Sequence, residues 1–179
     1  RVEIDDAYLG GEHAGSVYGG RGALNKSAFV AAIQTDAQGK PQFMRLTPIA
    51  GFTIVAMRQW AHSNLAATAH VVSDGTACFS QVTQIGATHE RYITGSGRAA
   101  AQLPQFKWVN TMLGNLKTAL NGTYHSFDHF KYAARYLAEF SYRFNRRYDM
   151  ASMIPRLLRA ACLTQPLPWT KLRWSETAT

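Results

Sequence analysis

The sequence predicts an α/β fold: a mixed sheet of three antiparallel strands followed by parallel strands, flanked by helices. Three observations carry this. Residues 2–49 hold three runs rich in strand-formers, separated by a glycine-rich stretch and by the turn sequence AQGK. A segment with helical spacing follows, and after it comes the short apolar run HVVS at 70–73, as expected of a buried strand. The second half reads almost wholly as helix.

Each element has its own reason. In VEIDDAYL (2–9), Val2, Ile4, Tyr8 and Leu9 favour a strand. AFVAAIQTD (28–36) and PQFMRLTPI (41–49) read as the second and third strands, a meander with the first. GFTIVAMRQWAHSNLAA (51–67) sets Ile54, Met57, Trp60, Ala61 and Leu65 at helical spacing. HVVSDG (70–75) is a short strand ending in a turn, with Asp74 at its carboxyl end, and HERYITG (89–95) is a candidate for a further strand. Residues 96–107 read as a loop. VNTMLGNLKTAL (109–120) is a helix broken by NGT, and SFDHFKYAARYLAEFSYRFNRR (126–147) is a longer one. Ser126 is its expected N-cap, with Asp128 in its first turn and Phe130, Ala134, Leu137, Phe140 and Phe144 as its apolar stripe. A last helix starts near Pro155 and runs through LLRAAC; QPLP ends it, and a loose tail is expected beyond.

The 179 residues suit one domain with a sizeable core, and 46% hydrophobic against 17% charged residues is a globular composition. No apolar run is long enough to span a bilayer. The chain opens on Arg1 and enters a strand almost at once, so an upstream part is expected to precede it. Two cysteines, Cys78 and Cys162, lie far apart without CxxC spacing, which argues against a disulfide scaffold or zinc ribbon and fits a reducing cytoplasm. Net charge is +8 and unevenly placed. Residues 1–103 carry eight Lys/Arg against seven Asp/Glu, while residues 104–179 carry eleven against four. Either the protein is simply basic and soluble, or a polyanion such as nucleic acid rests on its second half.

Asp5 and Asp6 interrupt the first strand. Aspartate is depleted in strands, and a buried carboxylate is costly without a partner. A surface hairpin would tolerate both acids; a metal site would require at least one. If the first and fourth strands are neighbours, Asp5 on the first and Asp74 at the end of the fourth meet across the sheet, and a strand's carboxyl end beside a central strand is a usual place for a site.

VEIDDAYLGG, the basic loop ending in GRGALNKS, VVSDG, VNTMLGNLK, GTYH and RYLAEFSYRFNRR occur in that order between residues 2 and 147. In these segments the chain resembles the catalytic domain of bacterial insertion-sequence transposases of the DDE superfamily, in the ISXO-two-like branch. The resemblance implies a ribonuclease-H-like fold over residues 1–149, with 150–179 as a C-terminal helix and tail and a DNA-binding segment upstream. It implies that Asp5 and Asp74 are catalytic acids, with Asp6 supporting. It places Asn110 at the third catalytic position and Lys117 seven residues on, an Asp-Asp-Asn-Lys variant of the acidic triad. Metal ligands would be Asp5, Asp74 and Asn110, and the cofactor Mg²⁺ or Mn²⁺. Expected partners are transposon-end and target DNA and further copies of the chain in a synaptic complex, with no membrane, in a bacterial cytoplasm near the nucleoid.

The chemistry is coherent with those residue types. Two divalent ions about 3.5–4 Å apart can activate a nucleophile, stabilise a pentavalent phosphorus and neutralise a leaving group. Hard cations favour carboxylate oxygens, and the cation removes the repulsion between paired acids. On a wheel of about 100° per residue, Asn110, Gly114, Lys117 and Asn121 share one stripe opposite Met112, Leu113, Leu116 and Leu120. That stripe fits a site wall or an ordinary solvated face. Asn110 offers a neutral amide oxygen, and Lys117, about 10 Å along the helix, suits a phosphate rather than a metal. Candidate DNA contacts are Arg21 and Lys26 of the glycine-rich loop, His125 of GTYH, and Arg143, Arg146 and Arg147 at the end of the long helix. The three arginines suit helix-end charge equally well, and His89 reads as a proton carrier or a structural histidine. Two other functions share these residues: a structure-specific endonuclease of the same fold, and a remnant that binds DNA without cutting it.

Overall fold

The structure is a computed structural model that describes residues 1–10, 26–93, 103–124 and 127–170. Its centre is a five-stranded sheet in the order β3-β2-β1-β4-β5. The strands are β1 (Val2–Leu9), β2 (Ser27–Thr35), β3 (Pro41–Pro48), β4 (His70–Ser73) and β5 (Thr88–Arg91). The first three pair antiparallel, with Asp5 opposite Ala31 and Ala31 opposite Leu46. β4 joins β1 in parallel, with Glu3 opposite Val72, and β5 joins β4 in parallel, with Ser73 opposite Arg91. The antiparallel-then-parallel order is thus as the sequence predicts.

Three helices flank the sheet among the described residues, α1 (Ile54–Asn64), α2 (Lys107–Thr123) and α3 (His129–Asn145), and a fourth, α4 (Met153–Leu163), follows with no buried residue. Two cores result. Ile4, Val30, Ala32 and Val71 meet Met57, Trp60 and Ala61 of α1, together with Phe79 and Val82 of the 3-10 segment Ala77–Ile85. On the other face Leu9, Phe29, Ala31, Ile33, Met44, Leu46 and Val72 meet Val109, Met112, Leu116 and Leu120 of α2 and Ala133 and Leu137 of α3. β2 is therefore buried on both sides, which explains its unbroken apolar run. Edge strand β3 alternates instead, with Met44 and Leu46 inside and Phe43 and Arg45 outside.

Several boundaries differ from the sequence expectation for physical reasons. α2 starts at Lys107 and continues through Asn121, Gly122 and Thr123 rather than breaking at NGT. Once the apolar face is docked, packing outweighs the weak helix propensity of those residues. α3 begins later than expected, because Asp128 is itself the N-cap and accepts the N–H of Lys131 at 3.1 Å. Its inward stripe is Ala133 and Leu137, buried, and Phe140 and Phe144, half-buried, a 4-3-4 spacing; Phe130 and Ala134 face outward. Ser126 and the tail at 171–179 lie outside the described residues. The 3-10 segment Ala77–Ile85 has no counterpart in the sequence reading.

The end of α3 secures the open edge of the sheet. The Asn145 amide accepts the N–H of Met44 at 2.7 Å and donates to its carbonyl at 2.9 Å, covering an edge that would otherwise be available for pairing. No described helix is long and apolar enough to cross a membrane.

Candidate metal centre

Strand alternation separates the acids of β1. Glu3, Asp5, Ala7 and Leu9 belong to the α2 side, where Ala7 and Leu9 pack in that core. Ile4, Asp6 and Tyr8 belong to the α1 side, where Ile4 is buried and Tyr8 meets the ring of Phe52 edge-on. Extending the β1–β4 register by two residues sets Asp5 opposite Asp74, just beyond the last residue of β4. The two share a face because parallel partners point the same way. Carboxylate oxygens of Asp5, Asp6 and Asp74 all lie within 4.8 Å of one another, and all three residues are half-buried. Asp6 thus reaches the cluster despite its place on the opposite face.

The turn carrying Asp74 is held from two directions. Its Oδ1 accepts the N–H of Thr76 and its Oδ2 accepts the Thr76 hydroxyl, both at 3.0 Å. From β5, Arg91 donates to the carbonyl of Gly75 at 2.8 Å, and the Tyr92 N–H donates to the carbonyl of Ser73 at 2.9 Å. The Ser73 hydroxyl donates to the Asp74 carbonyl at 3.0 Å and lies 2.7 Å from His89 Nε2. Burial and then the nearby charge of Arg91 push the His89 pKa below the ordinary histidine value. His89 is accordingly a hydrogen-bonding partner of the turn, mostly neutral at pH 7.

Two further candidates, Asn110 and Lys117, are carried by α2. The N–H groups of Trp108 and Val109 both donate to Glu3 Oε2 at 2.9 Å. This anchors the start of α2 over the face that holds Asp5 and Asp74. Asn110, half-buried, follows at once; Lys117 is exposed two turns farther along. A Cβ added at Gly114 would meet no described atom within 4 Å, so the side of α2 between them is open.

The remaining candidates scatter. Lys26 is half-buried just before β2, near the carboxyl end of β1. Arg21 and His125 lie outside the described residues. Arg143 pairs with Glu139 on the exposed surface of α3. Arg146 stacks on Tyr142 at 4.0 Å from the ring centre. Arg147 donates to the carbonyls of Phe144, Gln42 and Pro41 and lies over the Phe144 ring. Sequence reasoning passed over Glu3, Thr76 and Arg91. A signal existed for the first two: Glu3 shares the alternating face of Asp5, and a Thr two residues after Asp is the pattern of an Asx turn. Arg91 carried none, because its role depends on the β4–β5 register.

Three convergent carboxylates, two in the middle of β1 and one at the carboxyl end of β4, define an α/β protein with a site suited to a hard divalent cation. The donor set is all oxygen, and a cation would relieve the repulsion among the acids. The profile of the ISXO2-like transposase domain matches residues 1–145, and the chain belongs to that transposase family. No curated protein matches the chain.

Proposed function

We propose that the protein is a DDE-type transposase that cuts DNA at the ends of an insertion sequence and joins the freed 3′ hydroxyl to target DNA. The observation that carries this is the convergence of Asp5 and Asp74, with Asp6, within 4.8 Å in a chain of a transposase family. The β3-β2-β1-β4-β5 order supports a ribonuclease-H-like fold for residues 1–149, with 150–179 as an extension.

In this reading Asp5 and Asp74 hold Mg²⁺ or Mn²⁺, Asp6 supports them, and Asn110 adds a neutral amide oxygen. When bound, the cation neutralises charge at the scissile phosphate and eases deprotonation of the attacking oxygen. Thr76 keeps both oxygens of Asp74 oriented, and the hydrogen bonds from β5 keep its turn from swinging away. Lys117 meets the scissile or a flanking phosphate, where its charge counts most as negative charge builds up in the transition state. Lys26, with Arg21 and His125, contacts the DNA backbone. In the first step water attacks phosphorus and the 3′ oxygen leaves. In the second that 3′ hydroxyl loses its proton and attacks phosphorus in the target strand, and the target's own 3′ oxygen leaves and takes up a proton. Two DNA ends must be held together, so the working form is an assembly of several copies, in the cytoplasm beside the nucleoid.

The test is nicking and strand transfer on DNA carrying the element's ends, with Mg²⁺ or Mn²⁺ present. Asp5→Ala and Asp74→Ala should each lower cleavage by about a thousandfold, since several kcal/mol of transition-state stabilisation is lost. Cleavage that survives both substitutions, or that needs no divalent ion, overturns the reading. Cleavage without joining would point to an endonuclease instead.

A further inference from the structure

We propose that Glu3 is a positioning residue of the catalytic site: its buried carboxylate sets the distance between the strand carrying Asp5 and the helix carrying Asn110. This rests on the reading of Asp5 and Asn110 as site residues and goes beyond it, since Glu3 belongs to neither the acid cluster nor the expected ligands.

The first ground is burial. Glu3 is 1% exposed, the only acid among the buried residues described. Burying a carboxylate is costly unless charge and hydrogen bonds compensate. Compensation comes from Arg1, at 2.8 Å from Oε1, and from the N–H groups of Trp108 and Val109, both at 2.9 Å from Oε2. Those two N–H groups belong to the first turn of α2, where the helix dipole favours an anion. The helix has no local substitute. Its N-cap residue, Phe106, makes no side-chain cap, and its first turn has no acid. The cap is imported from the centre of the sheet, 105 and 106 residues away in sequence.

The second ground is where that bond falls. Glu3 and Asp5 stand on one face of β1, two residues and about 7 Å apart. On the helix, Val109 immediately precedes Asn110. Beside it, Trp108 Nε1 donates to the Gly39 carbonyl in the turn between β2 and β3. The core contacts between α2 and the sheet are apolar and non-directional, so by themselves they tolerate sliding and rotation of the helix. The hydrogen bonds to Glu3 are directional and do not. A shift of about 1 Å in a catalytic group can cost about a hundredfold in rate. The length of the Glu3 side chain therefore matters more than its charge alone.

Two substitutions separate reach from charge. Glu3→Gln keeps the length and an oxygen for both N–H groups but removes the charge. Glu3→Asp keeps the charge but is one methylene shorter, so α2 must move or lose its cap. Mn²⁺ affinity would be measured by titration calorimetry on the full chain, alongside metal-dependent cleavage and the unfolding midpoint. Glu3→Asp should weaken Mn²⁺ binding about tenfold, the range seen when a residue that orients a ligand is lost. Its cleavage rate should fall further while KM for DNA holds, and Glu3→Gln should stay within about threefold of wild type in Mn²⁺ affinity on the same scale. A role in stability alone would move the unfolding midpoint and leave Mn²⁺ affinity unchanged in both folded variants, which overturns the proposal. So does the reverse order, Asp tolerated and Gln not. Asp5→Ala is the control for the underlying reading. If it leaves Mn²⁺ binding intact, the acid-cluster reading fails and takes this proposal with it. If it abolishes binding and the Glu3 order is wrong, the positioning role alone fails.

Discussion

Where the middle of β1 meets the carboxyl end of β4 three acids converge within 4.8 Å, whereas at the end of α3 three arginines close in sequence diverge. Both groups attract attention as charge clusters in the sequence. The acids come from two strands, and the sheet register sets Asp5 opposite Asp74. The arginines come from one helix end, and each meets a different neighbour. Arg147 is engaged by three carbonyls, two of them on β3, so it staples a helix to a sheet edge. A run of charge thus identifies a site only where tertiary structure turns several side chains toward one point.

The comparison can be broken by stability measurements first. Arg147→Ala should destabilise the fold by about 2 kcal/mol, the scale for losing charge-assisted hydrogen bonds and leaving carbonyls unsatisfied. Asp5→Asn, which removes one of three crowded like charges, should not lower stability. Urea unfolding of the two variants decides the matter, and equal destabilisation would erase the contrast. Within the acidic region, Thr76→Val removes the hydroxyl bonded to Asp74 Oδ2 while keeping shape. Divalent-metal affinity should fall about tenfold in a calorimetric titration.

Within the basic region, Arg143→Ala should change stability by less than about 0.5 kcal/mol, as for exposed helix pairs. If Arg143 does reach DNA, the salt dependence of binding should flatten by about one unit in slope. The smallest effect concerns His89. Its folded pKa lies below the ordinary 6.5, so as pH falls through that value the unfolded chain takes up a proton before the native one does. Stability should therefore be fullest above pH 6.5 and decline toward pH 5, a slope that His89→Gln should reduce. Chemical denaturation across that window measures it.

Much of this was legible in one dimension because the signals are local. The apolar run of β2, the helical spacing of α1 and α2, and the SDG turn after β4 depend on neighbours a few residues away. The apolar stripe of α3 was harder. Phe130 and Ala134 look like core residues beside Leu137, and only docking shows that the helix turns Ala133 inward in their place.

Local pattern by itself determined most strands and helices and the family likeness, and that likeness in turn singled out Asp5 and Asp74 as the acids to watch, because short-range periodicity and motif order are written along the chain. Tertiary structure alone decided how near Asp6 comes to them, that β5 braces the Asp74 turn, that Arg147 serves the sheet edge, and that Glu3 caps a helix more than a hundred residues away. Those facts depend on sheet register and helix docking, which bring together groups whose separation in sequence carries no trace of the contact.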